Sequence, residues 1–197
     1  LEPCVHHGKT PPCTDMIIKH GIAEVVISMT DPNPEVGGKG IEKLRKNGIK
    51  VITGVQEEEA RYLNRRFITY FTQNRPYIIL KWAETLDGYI DVKRSGDRNS
   101  APNWITNKYG KSLVHKWRTE EDAFMVGTHT AIMDNPRLTV REWSGRNPVR
   151  LTVDYDNLLP ENLAIFDNEA ESIIFNGQKE KRAGKLNIIK INERKDN

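Results

Sequence analysis

The chain has 197 residues, 37% of them hydrophobic and 29% charged, and a net charge of +3. This length fits one or two globular domains, and so small a net charge gives no ground for a nucleic-acid partner. No apolar run approaches the ~20 residues of a membrane-spanning helix. Two cysteines are too few for a disulfide scaffold, so a reducing cytoplasm is the expected compartment.

Both cysteines fall in the first fifteen residues, which read L-E-P-C-V-H-H-G-K-T-P-P-C-T-D. Pro11 and Pro12 fix backbone angles just ahead of Cys13, and Thr14 or Asp15 is placed to cap a following helix. A Cys13 thiolate would then lie near a helix N-terminus, whose dipole favours negative charge. Cys4, on an extended segment, can face it across the loop, an arrangement suited to zinc. The two cysteines alone leave a metal site and a pair of thiols, or a disulfide, equally open.

The string E-P-C-x-H-H-G-K-T-P-P-C-T-D resembles the zinc motif in the deaminase half of the bifunctional riboflavin-biosynthesis deaminase/reductases. These belong to the cytidine-deaminase superfamily, with its H-x-E and P-C-x-x-C signature. The resemblance implies that Cys4 and Cys13 are zinc ligands and that His6, Lys9 and Thr10 contact substrate. It also implies a third ligand, a His, and a catalytic Glu, both upstream of the first cysteine. No H-x-E occurs downstream of Leu1, so no catalytic residue of the deaminase is assigned here. A fragment, incomplete at both ends, is expected.

Next, Met16–Ile18 should open a short helix that Gly21 ends, and Glu24–Met29 reads as a buried parallel strand. Thr30-Asp31-Pro32-Asn33-Pro34 follows at the strand's carboxyl end, where ligands of open α/β sheets sit. On bare chemistry this is an Asx/Pro turn or a pair of groups able to read a pyrimidine edge; the resemblance assigns Asp31 and Asn33 to substrate. Gly37, Gly38 and Gly40 suggest a flexible loop, residues 41–46 a short helix ended by Gly48, and residues 50–54 a strand. Ala60, Leu63, Phe67 and Phe71 form one apolar stripe on a helix of about four turns, read as core packing. Glu57, Glu58 and Glu59 are its solvated first turn.

Pro76 pushes Arg75 towards an extended conformation, and a domain boundary is placed there, giving residues 1–74 and 75–197. Tyr77–Ala83 reads as a buried strand. With the E-T-L-D-G that follows, it resembles the opening of the reductase half of the same family, which has a dihydrofolate-reductase-like fold. Lys81 is either a snorkelling edge residue or, as the resemblance implies, a substrate residue. Residues 94–102 form a polar loop. Asn103-Trp104-Ile105-Thr106 matches the family's W-I-T, but Pro102 stands where the family has a substrate-touching Ser, with Ser100 two residues earlier.

Leu113, Val114 and Trp117 suggest the apolar face of a helix from whose end Arg118 extends. Residues 123–127 suggest a strand, and residues 127–141 match G-x-x-T-x-x-x-D-x-P-x-L-x-x-R at each fixed position. Thr130 and Asp134, four apart, share a helical face. They are groups able to hold a nicotinamide cofactor, or simply parts of a capped short helix. Further strands are expected over residues 149–154, 171–175 and 186–191.

The expected fold is α/β: the later part of a cytidine-deaminase-like three-layer domain, then the front of a dihydrofolate-reductase-like domain. The resemblance implies zinc and NADPH as cofactors. It places Ala83, Trp104, Thr130 and Asp134 at the cofactor, and Lys81, Arg118, Leu138 and Arg141 at the reductase substrate. The implied activities are zinc-dependent deamination of a diaminopyrimidine ribosylamino phosphate and NADPH-dependent reduction of its ribosyl group. The expected partner is that small molecule, with no nucleic acid or membrane, in a homo-oligomer. The alternatives are a reductase with a vestigial deaminase domain and a non-catalytic nucleotide-binding module. Basic patches interleaved with aromatics, which RNA binding would need, are absent.

Overall fold

In the computed structural model, residues 1–92 and 103–192 are described. The chain is α/β and divides into two compact units, Leu1–Leu80 and Lys81–Asn197. Ser100 and Pro102, with the whole of the expected polar loop, lie outside the described residues.

The first unit contains α1 (Cys13–Lys19), β1 (Glu24–Ile27), α2 (Lys39–Lys46), β2 (Lys50–Thr53), α3 (Glu57–Leu63) and α4 (Arg65–Gln73). β1 and β2 pair in parallel with Glu24 opposite Lys50, and those two side chains form an ion pair at 2.8 Å. Ile27, Met29, Val36, Ile41, Leu44 and Ile49 are its buried apolar residues.

One buried carboxylate organises this unit. Glu2 is 5% exposed. Its Oε1 accepts the N–H of Gly40 at 2.7 Å and of Ile41 at 3.0 Å, and its Oε2 accepts those of Gly38 at 2.8 Å and Asp31 at 3.2 Å. Three of these donors open α2, whose N-cap residue Gly38 has no side chain to satisfy them. The carboxylate also complements the helix dipole. Gly40 must be glycine, because a Cβ there would come within 2.1 Å of the Pro3 carbonyl oxygen.

Several sequence expectations change in this unit. Gly40 lies inside α2, not in a flexible loop. Val26 is 56% exposed, so β1 is parallel but only half buried. The expected four-turn helix is broken at Asn64 into α3 and α4. Its stripe is not core: Leu63 is 77% exposed, and Thr69 is the one buried residue of the two helices.

The second unit contains α5 (Lys108–Glu120), β3 (Ala123–Val126), α6 (Thr128–Asp134), β4 (Val149–Asp154), β5 (Ser172–Asn176), β6 (Lys181–Ala183) and β7 (Leu186–Lys190). These strands form a mixed sheet in the order β3-β4-β5-β7-β6, parallel except for β6, which runs antiparallel to β7. β6 is short, charged and fully exposed, which hid it from a reading based on apolar alternation. Tyr77–Ala83 is not a strand. A strand exists through its ladder partner, and sequence pattern supplies only one side of the pair.

The core of this unit gathers Ala131, Leu138, Leu159, Leu163, Ile165, Ile174, Leu186 and Ile188. Beside it lies Arg150, 0% exposed. Its Nη1 donates to the carbonyls of Ala164 at 2.8 Å and Arg137 at 3.4 Å, and its Nη2 to those of Asp167 at 3.0 Å and Ala170 at 2.8 Å. The Asp167 carboxylate completes the pairing at 2.9 Å. Arg150→Met should therefore strand the Arg137, Asp167 and Ala170 carbonyls and the Asp167 carboxylate, lowering the stability of this unit by about 3–5 kcal/mol. All four tryptophans lie in this unit, so urea unfolding followed by tryptophan fluorescence reads it alone; an unchanged midpoint would refute the role.

Candidate functional site

In the first unit the motif residues divide. α1 begins at Cys13 itself, with Pro12 at its N-cap and no side-chain cap. Thr14, expected as a cap, is fully buried and donates its hydroxyl to the Cys4 carbonyl at 3.1 Å, while Asp15 pairs with Lys43. These bonds hold residues 4 and 13 together, and the Cys13 N–H points at the Cys4 sulfur at 3.3 Å. Hydrogen bonding with Cys4, followed by desolvation, pushes the Cys13 thiol up from its ordinary value.

A catalytic zinc takes three protein ligands and an open position. Among the described residues no group of three or more His, Cys, Asp or Glu could hold a metal. The two sulfurs converge, but the residues present do not complete the expected zinc site. His6, Lys9 and Thr10 are exposed on the loop between the cysteines. Asp31 and Asn33 are half-buried and do form an Asx turn: Asp31 Oδ1 accepts the Asn33 N–H at 2.8 Å, and Asn33 Oδ1 that of Glu35 at 3.0 Å. Glu2, to which sequence reasoning gave no role, fixes the backbone of this turn through the Asp31 N–H.

In the second unit the match over residues 127–141 begins with Gly127, at the carboxyl end of β3. Gly127 leads directly into α6, which carries Thr130, exposed, and Asp134, half-buried. This hydroxyl and carboxylate, one turn apart beyond a strand's carboxyl end, suit the ribose hydroxyls of a dinucleotide in donor and acceptor type. Trp104 is 64% exposed, with the Lys111 ammonium 3.5 Å from its ring centroid. Ala83 is half-buried and Lys81 exposed, both on irregular chain.

The loop after α6 is more tightly specified. Leu138 has φ +57, a left-handed conformation costly for a branched side chain, and its side chain is buried in the core cluster. Neighbouring bonds hold it there. Arg137 gives its carbonyl to Arg150, and Asn135 Oδ1 accepts the Ala164 N–H at 2.7 Å. Thr139, fully buried, is gripped twice: Arg118 Nη1 donates to its carbonyl at 2.9 Å, and Arg141 Nη1 to its hydroxyl at 3.3 Å.

Two guanidinium groups thus meet at one residue. Burial, then the Arg141 charge, lowers the pKa of Arg118, and Glu142 opposes this. The Arg118 Nε–H is buried without a partner. A pair of like charges with a spare donor favours an anion. Sequence reasoning placed Leu113 and Trp117 on the buried face of α5, but they are 43% and 38% exposed; the buried residue of that helix is His115, 5% exposed. Its Nδ1 accepts the Arg141 backbone N–H at 3.0 Å. No sequence signal marked it beyond the three-residue spacing to Arg118, which puts both on one helical face.

A shallow depression lined by Val149, Ala170, Glu171 and Leu186 opens at the amino ends of β4, β5 and β7, away from the carboxyl ends where this fold binds ligands.

Residues 76–195 match the family model described as the RibD C-terminal domain. The chain belongs to the RibD C-terminal domain family. The riboflavin biosynthesis protein RibD of Aquifex aeolicus is 46% identical over 188 residues, 94% of this chain and 51% of that protein. A Thermotoga maritima structure described as a diaminohydroxyphosphoribosylaminopyrimidine deaminase/5-amino-6-(5-phosphoribosylamino)uracil reductase superposes with a TM-score of 0.83 at 46% identity, covering 95% of this chain and 52% of that one. A RibD structure from Acinetobacter baumannii gives 0.82 at 30% identity, covering 98% and 55%. The chain spans about half the length of these relatives. No helix among its described residues is long and apolar enough to cross a membrane.

Two expectations arise from this RibD-like site. With only two sulfurs, the 197-residue chain should retain well under one zinc per molecule after dialysis against a weak chelator; elemental analysis showing one retained zinc would reveal a third ligand. For His115, burial, Arg118 and Arg141 lower the pKa from its ordinary 6.5, and Glu142 opposes them. The unfolded chain then binds this proton more readily than the folded one. The second unit should therefore lose stability as pH falls below about 6.5, levelling off beneath the folded value. Urea midpoints by tryptophan fluorescence at stepped pH check this, with the His115→Asn variant expected to lack that component.

Proposed function

We propose that this chain serves riboflavin biosynthesis, its second unit supplying the phosphate-binding and cofactor-binding side of a reductase that acts on a pyrimidine ribosyl phosphate. In this reading the first unit is the later part of a cytidine-deaminase-like domain, and the second is the front of a dihydrofolate-reductase-like domain. The observation that carries the reductase reading is the meeting of Arg118 and Arg141 at Thr139, with the Arg118 Nε–H buried and unpartnered. The RibD-family match over residues 76–195 supports it.

Arg118 and Arg141 bind the substrate phosphate, since guanidinium forks match its oxygens. The backbone beside Leu138 and the Lys81 ammonium flank the ribosyl group. Ala83, Trp104, Thr130 and Asp134 would hold NADPH, which when bound supplies a hydride for the ribosyl carbon; ring opening leaves a ribityl chain. In the first unit His6, Lys9, Thr10, Asp31 and Asn33 would face the pyrimidine substrate of a deaminase. Cys4 and Cys13 alone carry no deamination step.

Ribose 5-phosphate is the direct probe. Arg118→Ala should weaken its binding by about tenfold to a hundredfold, the loss expected for charge-assisted hydrogen bonds, while leaving the zinc content unchanged. Titration calorimetry showing equal affinity in the variant, or no binding by the parent chain, would overturn the phosphate assignment.

A further inference from the structure

We propose that His115 is a positioning residue for the anion site: its neutral imidazole holds the Arg141 backbone so that both guanidinium groups face one ligand phosphate. The role of that phosphate rests on the reductase reading above; the hold on Arg141 does not. His115 is 5% exposed and sits on α5 one turn before Arg118. Its Nδ1 accepts the Arg141 N–H at 3.0 Å, which requires the proton on Nε2. Arg141 Nη1 in turn reaches the Thr139 hydroxyl, and Arg118 Nη1 the Thr139 carbonyl. One imidazole therefore fixes the backbone of one arginine, and the same helix delivers the other. Leu138, held left-handed three residues earlier, shows how closely this loop is constrained.

The charged groups that face His115 are Arg118 on its own helix, with Arg141 and Glu142 on the loop packed against it. Burial first, and then the arginines, disfavour a proton on the imidazole and Glu142 favours one, so the neutral form is maintained at neutral pH. Protonation would put a donor where Arg141 needs an acceptor and add a third positive charge beside two. The Arg141 segment should then be released in acid, and anion binding should weaken even though net positive charge has risen. The phosphate monoester itself takes up a proton at about pH 6, so the part of this loss that belongs to His115 is the difference between the parent chain and a variant that cannot titrate.

The test uses this chain with two variants. His115→Asn places an amide oxygen close to the Nδ1 position and cannot titrate; His115→Phe fills the volume without an acceptor. Amide hydrogen exchange should show Arg141 protected in the parent chain at pH 7.5. Loss of one hydrogen bond should speed its exchange about tenfold in His115→Phe, with protection retained in His115→Asn. In the parent chain protection should fall in acid, and in His115→Asn it should not. Ribose 5-phosphate affinity should drop about tenfold in His115→Phe at pH 7.5, and in acid it should fall further in the parent chain than in His115→Asn, where protonation of the ligand is the remaining cause.

Unchanged Arg141 exchange in a folded His115→Phe, or the same acid response in His115→Asn as in the parent, would overturn the proposal. If His115→Phe does not fold, the comparison of the parent with His115→Asn across pH decides. If the parent binds no ribose 5-phosphate, the phosphate reading fails, and the Arg141 exchange data still decide whether His115 holds that segment.

Discussion

The second unit depends on burying the Arg150 guanidinium. A charge removed from water is costly unless its donors find acceptors; four carbonyls with the Asp167 carboxylate serve the two Nη groups, while the Nε–H stays buried without one. The Ala164 carbonyl also accepts the Asp167 N–H at 3.1 Å, but those of Arg137, Asp167 and Ala170 lie on irregular segments without ladder partners. One side chain on β4 therefore fixes the chain after α6 and the chain before β5 together. The consequence reaches the candidate site: Arg137, gripped by Arg150, is followed by Leu138 in its left-handed conformation and by Thr139, where Arg118 and Arg141 converge.

The first unit solves the same problem with the opposite charge. Glu2 satisfies backbone donors that open α2 and one from the turn at Asp31. A carboxylate suits this end of a helix, as the guanidinium suits a cluster of carbonyls. In each unit a buried ion connects segments distant in sequence, and Asp31 in the first and Leu138 in the second lie on the segments so connected.

At the anion site the electrostatics run against stability. Two guanidinium groups share Thr139 and the Glu142 charge opposes them, while burial, and then their charge, disfavours a proton on His115. Repulsion of this kind persists because Arg150 and the core hold the loop in place. A bound phosphate would relieve it, which converts local destabilisation into affinity.

The sequence by itself determined the family, the α/β alternation, most strands of the second unit, and the convergence of the two cysteine segments. Its motif over residues 127–141 also contained Thr130, Asp134, Leu138 and Arg141, whereas Arg118 was picked out by the resemblance alone. Tertiary structure alone decided which faces are buried. On α5 the apolar residues Leu113 and Trp117 face outward and His115 inward, since an arginine-rich loop needs an acceptor more than a methyl group. It likewise decided that Tyr77–Ala83 forms no strand and that the Ala60–Phe71 stripe is not core. Burial and pairing are properties of two surfaces, and a sequence window describes only one of them. Glu2 and Arg150 were unreadable for the same reason: a charged residue looks solvated until the backbone groups that surround it are in place.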